Sequence, residues 1–303
     1  MYTMDHHEKK LLFIVNPRSG RTKSRAPLFD AAAVYCQAGY LVSIRTTQRS
    51  GDATRIVEEE GADYDIVACY GGDGTLNETV NGLLRLPQDR RPMITYLPGG
   101  STNDFAASLH ISAAPAVAAQ SAMRLQPRYL DVGNFNERHF VYVASFGAFT
   151  RTAYRVPQDI KNAFGHFAYI LEGVKDLDTL HPYRMTITAD EEVFAGEYLF
   201  GAVSNSTSIA GMMKLSAEDV AFDDGRFEML LVPVPKTPLA MQKLIRALLY
   251  QDYGNSEGLI LRHVKHVVAQ TEENIPWTLD GEYAPGAASI DISIEDNGIR
   301  MLL

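Results

Sequence analysis

Along the first 125 positions, apolar residues come in two alternating kinds of block. Residues 11–15 (LLFIV) form an unbroken apolar run of strand length, and residues 26–38 carry their apolar positions at helical spacing. The same alternation continues with a strand at 41–45, a helix at 52–60 and a buried strand at 65–70. A helix at 76–86 follows, with Leu76, Val80, Leu83 and Leu84 at helical spacing, then a strand at 94–97 and an alanine-rich helix at 113–123. Strands and helices in regular alternation predict a parallel sheet with helices on both faces, a doubly wound α/β domain.

Near Arg128 the period changes. The segments HFVYVASF, YRMTITAD, EYLFGAVS, RFEMLLVPV, HVKHVVAQ and ASIDISIE alternate apolar and polar positions with period two. They predict an antiparallel β-sandwich, interrupted by helices at 158–180 and 238–250. The fold class is therefore α/β plus all-β. Residues 1–127 form the first domain and 128–303 the second, with the last strand free to return to the first. No repeat or low-complexity tract is visible.

The chain of 303 residues is 46% hydrophobic and 21% charged, the balance of a folded globular protein. A net charge of −9 argues against nucleic acid as a partner, because phosphate binding shows as basic excess. The two cysteines, Cys36 and Cys69, sit in apolar stretches and read as small buried hydrophobes of a reducing compartment. No run of eighteen apolar residues is present, and the charged start lacks a signal peptide's plan, so a cytoplasmic protein is expected.

Composition leaves the chemistry open; the glycine turns narrow it. The stretch YGGDGTLNE (70–78) follows a strand and opens a helix, an order that aims unpaired N–H groups at an anion. LPGGSTNDFA (97–106) repeats the plan, and NPRSG (16–20) follows the first strand. Three turns after strands of one parallel sheet line the same carboxyl edge, where such folds bind ligands. Thr75 with Glu78, and Ser101 with Asp104, each match a capping box, which leaves Glu78 and Asp104 open as helix caps. Asp73 lies between glycines where no cap is needed. A carboxylate beside a phosphate cradle is repulsive unless a cation intervenes, which points to Mg²⁺. No P-loop pattern occurs, and GGDGT lacks the spacing of a hydride-transfer dinucleotide site.

With KLSAEDVAFDDGRFEMLLV (214–232) and PWTLDGEY (276–283), the turns make an ordered set of five motifs over the whole chain. The set resembles the diacylglycerol kinase catalytic domain family of bacterial lipid kinases, with sphingosine and ceramide kinases as relatives. GGDGT alone is shared with NAD kinases. The resemblance implies an active site in an interdomain cleft. It implies ATP held by Asn16, Pro17, Arg18, Ser19, Gly20, Thr47, Gly71, Gly72, Asp73, Gly74, Thr75, Leu76, Asn77 and Ser101. Asp73 and Asp104 match carboxylates that hold a catalytic Mg²⁺ through water. Asp219, with the carbonyls of Ser216 and Ala221, matches a structural Mg²⁺ site. Ser101 and Thr102 depart from the commoner G-T-G-N-D-F-A pattern, though serine keeps the hydroxyl.

In TLDGEY, Asp280 and Glu282 read either as a D-G hairpin turn or, by the resemblance, as a proton acceptor and its partner in either order. His263 and His266 read as surface residues, and 223–225 as a turn without chemistry. Phe164 and Phe167, with Lys161 and Arg155 nearby, read as core or as a local membrane contact. The expected activity is ATP-dependent phosphorylation of a lipid alcohol, reached by peripheral, reversible contact with the inner membrane surface; the resemblance leaves a homodimer open. An NAD kinase and a silent nucleotide or lipid sensor are the alternatives. The STNDFA turn argues against the first, and the intact Asp73, Asp104, Asp280 and Glu282 against the second.

Overall fold

The computed structural model describes residues 8–19, 26–100, 103–147, 182–205, 208–209, 213–214, 222–250 and 258–303. The chain falls into two compact units, residues 1–130 with 297–303, and residues 131–296. In the first, strands β1 (Lys10–Val15), β2 (Leu41–Thr46), β3 (Ile66–Gly71) and β4 (Met93–Pro98) alternate with helices. The helices are α1 (Ala26–Gln37), α2 (Asp52–Glu60), α3 (Asp73–Leu84), α4 (Asp104–Ser108) and α5 (Pro115–Ala122).

The four strands are parallel in the order β4-β3-β1-β2, with Phe13 beside both Ile44 and Ala68 and Tyr96 beside Cys69. Helices cover both faces of such a sheet, so its central strands are apolar at every position. Leu11, Leu12, Phe13 and Ile14 are accordingly all buried. On one face Leu11, Phe13 and Ala68 pack with Tyr35 of α1 and with Ala118 and Ala119 of α5. Helices α2 and α3 pack on each other at Gly82, where a Cβ would stand 2.7 Å from both the Thr54 carbonyl and Val57 Cβ. The strand order reverses between β1 and β3, and the crevice at their carboxyl ends is where an open α/β sheet binds ligands.

The second unit contains β5 (Pro127–Phe135), which begins in the first unit, β6 (Arg138–Phe140), β7 (Val143–Gly147), β8 (Tyr183–Ala189) and β9 (Glu192–Ser204). Next come β10 (Ser208–Ile209), β11 (Met213–Lys214), β12 (Phe227–Pro233), α6 (Pro238–Tyr250), β13 (Ile260–Val264) and β14 (His266–Gln270). The chain ends with β15 (Trp277–Leu279), β16 (Glu282–Ala284) and β17 (Ser289–Leu302). Pairing is antiparallel, with β9 joining β7, β8 and β12, around a core that includes Phe146, Met185, Phe227, Trp277 and Ile292. The end of β17 lies in the first unit, where Met301 runs parallel beside Ile94. There Arg91 donates to the carbonyls of Leu84, Leu86 and Gly298, tying the returning chain to α3.

The structure corrects several sequence expectations. Helix α3 begins at Asp73 rather than 76, because its first turn is closed by N–H groups of Thr75 and Leu76 donating to the Gly72 carbonyl. The expected strand at 139–146 breaks between β6 and β7, where the Asp280 carboxylate takes the N–H groups of Val141, Tyr142 and Val143. The expected strand at 263–270 breaks at Lys265, where Asp190 accepts from the N–H groups of Lys265 and His266. Cys69 is buried, with burial pushing its thiol up to about 12, whereas Cys36 is exposed on α1. His263 and His266 are exposed, as read from the sequence. The helix expected at 158–180, with Lys161, Phe164 and Phe167, and Arg155 lie outside the described residues.

Gly82→Ala should destabilise the protein by about 1–3 kcal/mol, because the carbonyl it meets cannot rotate away. A lowered urea midpoint at unchanged slope would register this.

Candidate active site

The reversal point between β1 and β3 is bridged by side chains. Asn16, at the end of β1, donates from Nδ2 to Thr75 Oγ1 of α3 at 2.9 Å and accepts the Arg18 N–H at 3.0 Å. One amide thus shapes the NPRSG turn and docks it on GGDGT. Pro17 and Arg18 are exposed and Ser19 is half-buried, its N–H donating to the Asn16 carbonyl.

The two longer glycine turns stand back to back. A Cβ on Gly100 would lie 2.6 Å from the Gly72 Cα, so only glycine lets these backbones touch. The Gly99 N–H donates to the Gly71 carbonyl at 2.7 Å. Close approach, not positive φ, is what Gly72 and Gly100 supply. Asn103 is held left-handed at φ 53°, its amide accepting the Gly100 N–H at 2.8 Å and donating to the Gly100 carbonyl at 2.9 Å. That clasp starts α4 and aims Asp104 at the neighbouring turn.

Asp73 and Asp104 meet as a result: the Asp104 N–H donates to Asp73 Oδ2 at 3.2 Å. Burial raises the Asp73 carboxyl, although the N–H groups of Asp104, Phe105 and Asn103 favour its charged form. Asp104 is pushed up to about 7, by burial first and then by the charge on Asp73. The other oxygen, Asp73 Oδ1, is buried and finds no hydrogen-bond partner among the described residues. A buried acceptor left unmade costs roughly 1–3 kcal/mol, more when charged. Two crowded carboxylates with an unused oxygen are a donor set that suits a hard divalent cation. No third carboxylate, His or Cys joins them among the described residues, so remaining ligands would be water or phosphate.

The Thr75–Glu78 capping box does not form. Helix α3 is capped by the Gly72 backbone without a side chain, and α4 by Asn103. Glu78 turns instead to the loop after β2, accepting from Ser50 Oγ at 3.0 Å, the Gly51 N–H at 2.7 Å and the Ala53 N–H at 3.3 Å. Glu78 therefore caps α2, whose own cap residue, Gly51, has no side chain to offer. That bare glycine was the one sequence signal for the contact. Asp52 accepts the Gln48 and Arg49 N–H groups, so two carboxylates shape the loop that begins at the buried Thr47.

In the second unit, Asp280 and Gly281 form a hairpin turn between β15 and β16, both at positive φ, 50° and 83°. Asp280 is only 4% exposed, and its oxygens accept from Val141 at 2.7 Å, Tyr142 at 3.0 Å and Val143 at 3.1 Å. Glu282, two residues on, is exposed. The structure thus separates a pair that the sequence left in either order: one carboxylate is committed to backbone, the other is accessible. Volume alone points elsewhere, to an open groove of about 1630 Å³ in this unit lined by Met185, Phe194, Tyr198 and Ile260. Gly20, Ser101, Ser216, Asp219 and Ala221 lie outside the described residues.

The diacylglycerol kinase catalytic domain pattern matches residues 10–135. A diacylglycerol kinase of Bacillus subtilis is 34% identical over 278 residues, 91% of this chain and 90% of that one. The chain belongs to the diacylglycerol kinase family. A Staphylococcus haemolyticus diacylglycerol kinase is also 34% identical, over 89% of this chain and 81% of its own. A crystal structure of a putative diacylglycerol kinase from Bacillus anthracis shares the fold, with a TM-score of 0.79 at 24% identity over 97% of this chain and 96% of that one. By membership, the protein is a lipid kinase. Among the described residues no helix is long and apolar enough to cross a membrane.

The carboxylate pair gives this lipid kinase a pH signature. Asp104 titrates higher folded than unfolded, so the folded state binds more protons and stability falls as pH rises from about 4 to 7. Asp104→Asn should therefore raise the melting temperature of the metal-free protein at pH 8 by a few degrees and change it little at pH 4. Thermal melts in chelator at the two pH values check this.

Proposed function

We propose that this lipid kinase transfers the γ-phosphoryl group of ATP to the hydroxyl of a lipid alcohol, with diacylglycerol, the substrate named for its relatives, as the first candidate. The observation that carries the reading is the Asp73–Asp104 pair, crowded and raised at the end of the parallel sheet, with a buried oxygen that has no hydrogen-bond partner among the described residues. When bound, Mg²⁺ held by Asp73 and Asp104 would neutralise charge on the phosphates. The rest falls to the chain's own groups. The opening turn of α3, with Gly71, Gly72, Gly74, Thr75, Leu76 and Asn77, places a helix N-terminus and its dipole where the phosphates of ATP would sit. Asn16, Pro17, Arg18 and Ser19 border the phosphates from β1, and Thr47 from β2.

A lipid hydroxyl is a weak nucleophile until its proton has somewhere to go. In this reading Glu282 accepts that proton as the lipid oxygen bonds to phosphorus and the bond to the ADP oxygen breaks. Asp280 spends its oxygens on three N–H groups and holds the turn that presents Glu282. The lipid cannot diffuse through water, so the enzyme visits a bilayer surface reversibly, from the cytoplasmic side. A net charge of −9 keeps general electrostatic attraction to anionic lipid weak.

Asp73→Asn should abolish turnover while leaving circular dichroism intact. Glu282→Gln should lower kcat by about 10² or more with little loss of stability. Asp280→Asn should lower both, since it loosens a buried three-bond clamp. ATP consumption measured with a panel of lipid alcohols beside NAD tests the function. Phosphorylation of NAD, or near-normal turnover by Asp73→Asn, would overturn it.

A further inference from the structure

The Gly71 carbonyl is the point where the two glycine turns are pinned together. It accepts the Gly99 N–H at 2.7 Å and, from the other side, the Tyr96 hydroxyl at 3.1 Å. Tyr96 is on β4 and is 1% exposed, so its phenol reaches the turns from inside the sheet rather than from solvent. The same hydroxyl lies 3.5 Å from Asn103 Oδ1, the amide that clasps Gly100 and starts α4. One oxygen thus borders both turns: GGDG, which carries Asp73, and GGSTND, which carries Asp104. The phenol has one proton to give, and it goes to the Gly71 carbonyl at 3.1 Å, with the Asn103 amide oxygen as a weaker acceptor at 3.5 Å.

From this geometry we infer that Tyr96 is a positioning residue for the metal-holding carboxylates, setting the spacing of Asp73 and Asp104 through the Gly71 carbonyl and Asn103. The inference rests on the reading of that pair as a divalent-cation site. The catalytic groups proposed above do not include Tyr96. Nothing in packing demands a hydroxyl at this position, since phenylalanine would fill the same volume, so the oxygen is present for its bonds. Partners that orient metal ligands from behind cost 10–100-fold in metal affinity when removed.

The test compares Tyr96→Phe with wild type and Asp73→Asn. The readouts are Mn²⁺ binding to the whole protein by electron paramagnetic resonance and Mg²⁺ titration of ATP turnover. Tyr96→Phe should bind Mn²⁺ about 10-fold more weakly and need about 10-fold more Mg²⁺ for half-maximal rate. Its kcat at saturating Mg²⁺ and its KM for lipid should stay within about threefold of wild type. A structural role alone would shift the melting temperature and leave the metal titrations superimposed. Superimposed titrations, or a kcat loss that no Mg²⁺ concentration restores, would overturn the inference for Tyr96. Equal Mn²⁺ binding by wild type and Asp73→Asn would instead overturn the metal-site reading beneath it. Should Tyr96→Phe prove misfolded by circular dichroism, Asn103→Ser, which releases the other side of the pin, is expected to weaken Mn²⁺ in the same way, and unchanged binding in it would count against the inference.

Discussion

Two carboxylates crowded together at the end of a parallel sheet repel each other, and the architecture of the first unit is arranged around keeping them there. Asp73 opens α3 and Asp104 opens α4, so each sits at a helix N-terminus whose dipole favours negative charge. Backbone N–H groups of Asn103, Asp104 and Phe105 converge on Asp73. Even so, both carboxyls remain raised, so the described residues alone do not satisfy them. A partly buried like-charge pair is costly as structure and suits a cation between its members, which the proposed phosphoryl transfer would use.

The surrounding residues follow from that constraint. Gly72 and Gly100 lack side chains because the turns must touch; Asn103 adopts a left-handed backbone because α4 must start abruptly. Asn16 locks the first turn to Thr75, and Glu78 locks the β2 loop to the other side of α3. Helix α3 is therefore a hub through which three loops at the carboxyl edge are held in register. In the second unit the Asp280 clamp does comparable work on a smaller scale, fixing the turn so that Glu282 stands exposed.

Much of this was legible from the sequence because it rests on local signals. Apolar runs at 11–15 and 65–70 mark buried parallel strands, period-two segments mark the antiparallel unit, and the glycine turns mark the carboxyl edge. What sequence missed depends on long-range backbone contacts. The breaks at 141–142 and at Lys265 arise because Asp280 and Asp190, distant in sequence, capture N–H groups that a ladder would otherwise use. The Thr75–Glu78 capping box failed for a similar reason: Glu78 finds better donors in the Gly51 loop, 27 residues away, than in its own helix. Cys36 looked buried because it sits in an apolar run, but helical geometry turns it outward while Tyr35 points in. Hydrophobicity counts residues, whereas burial depends on which face they share.

The most direct test of the central claim is the proton count on metal–nucleotide binding. Calorimetry of Mg²⁺–ADP binding at pH 7, in buffers of differing ionisation enthalpy, measures the protons released. If Asp104 titrates near 7 and loses its proton to the buffer when the cation binds, roughly half a proton should leave per site. Release should vanish in Asp104→Asn. Binding with no proton release by wild type at pH 7, or the same release from Asp104→Asn, would contradict the account.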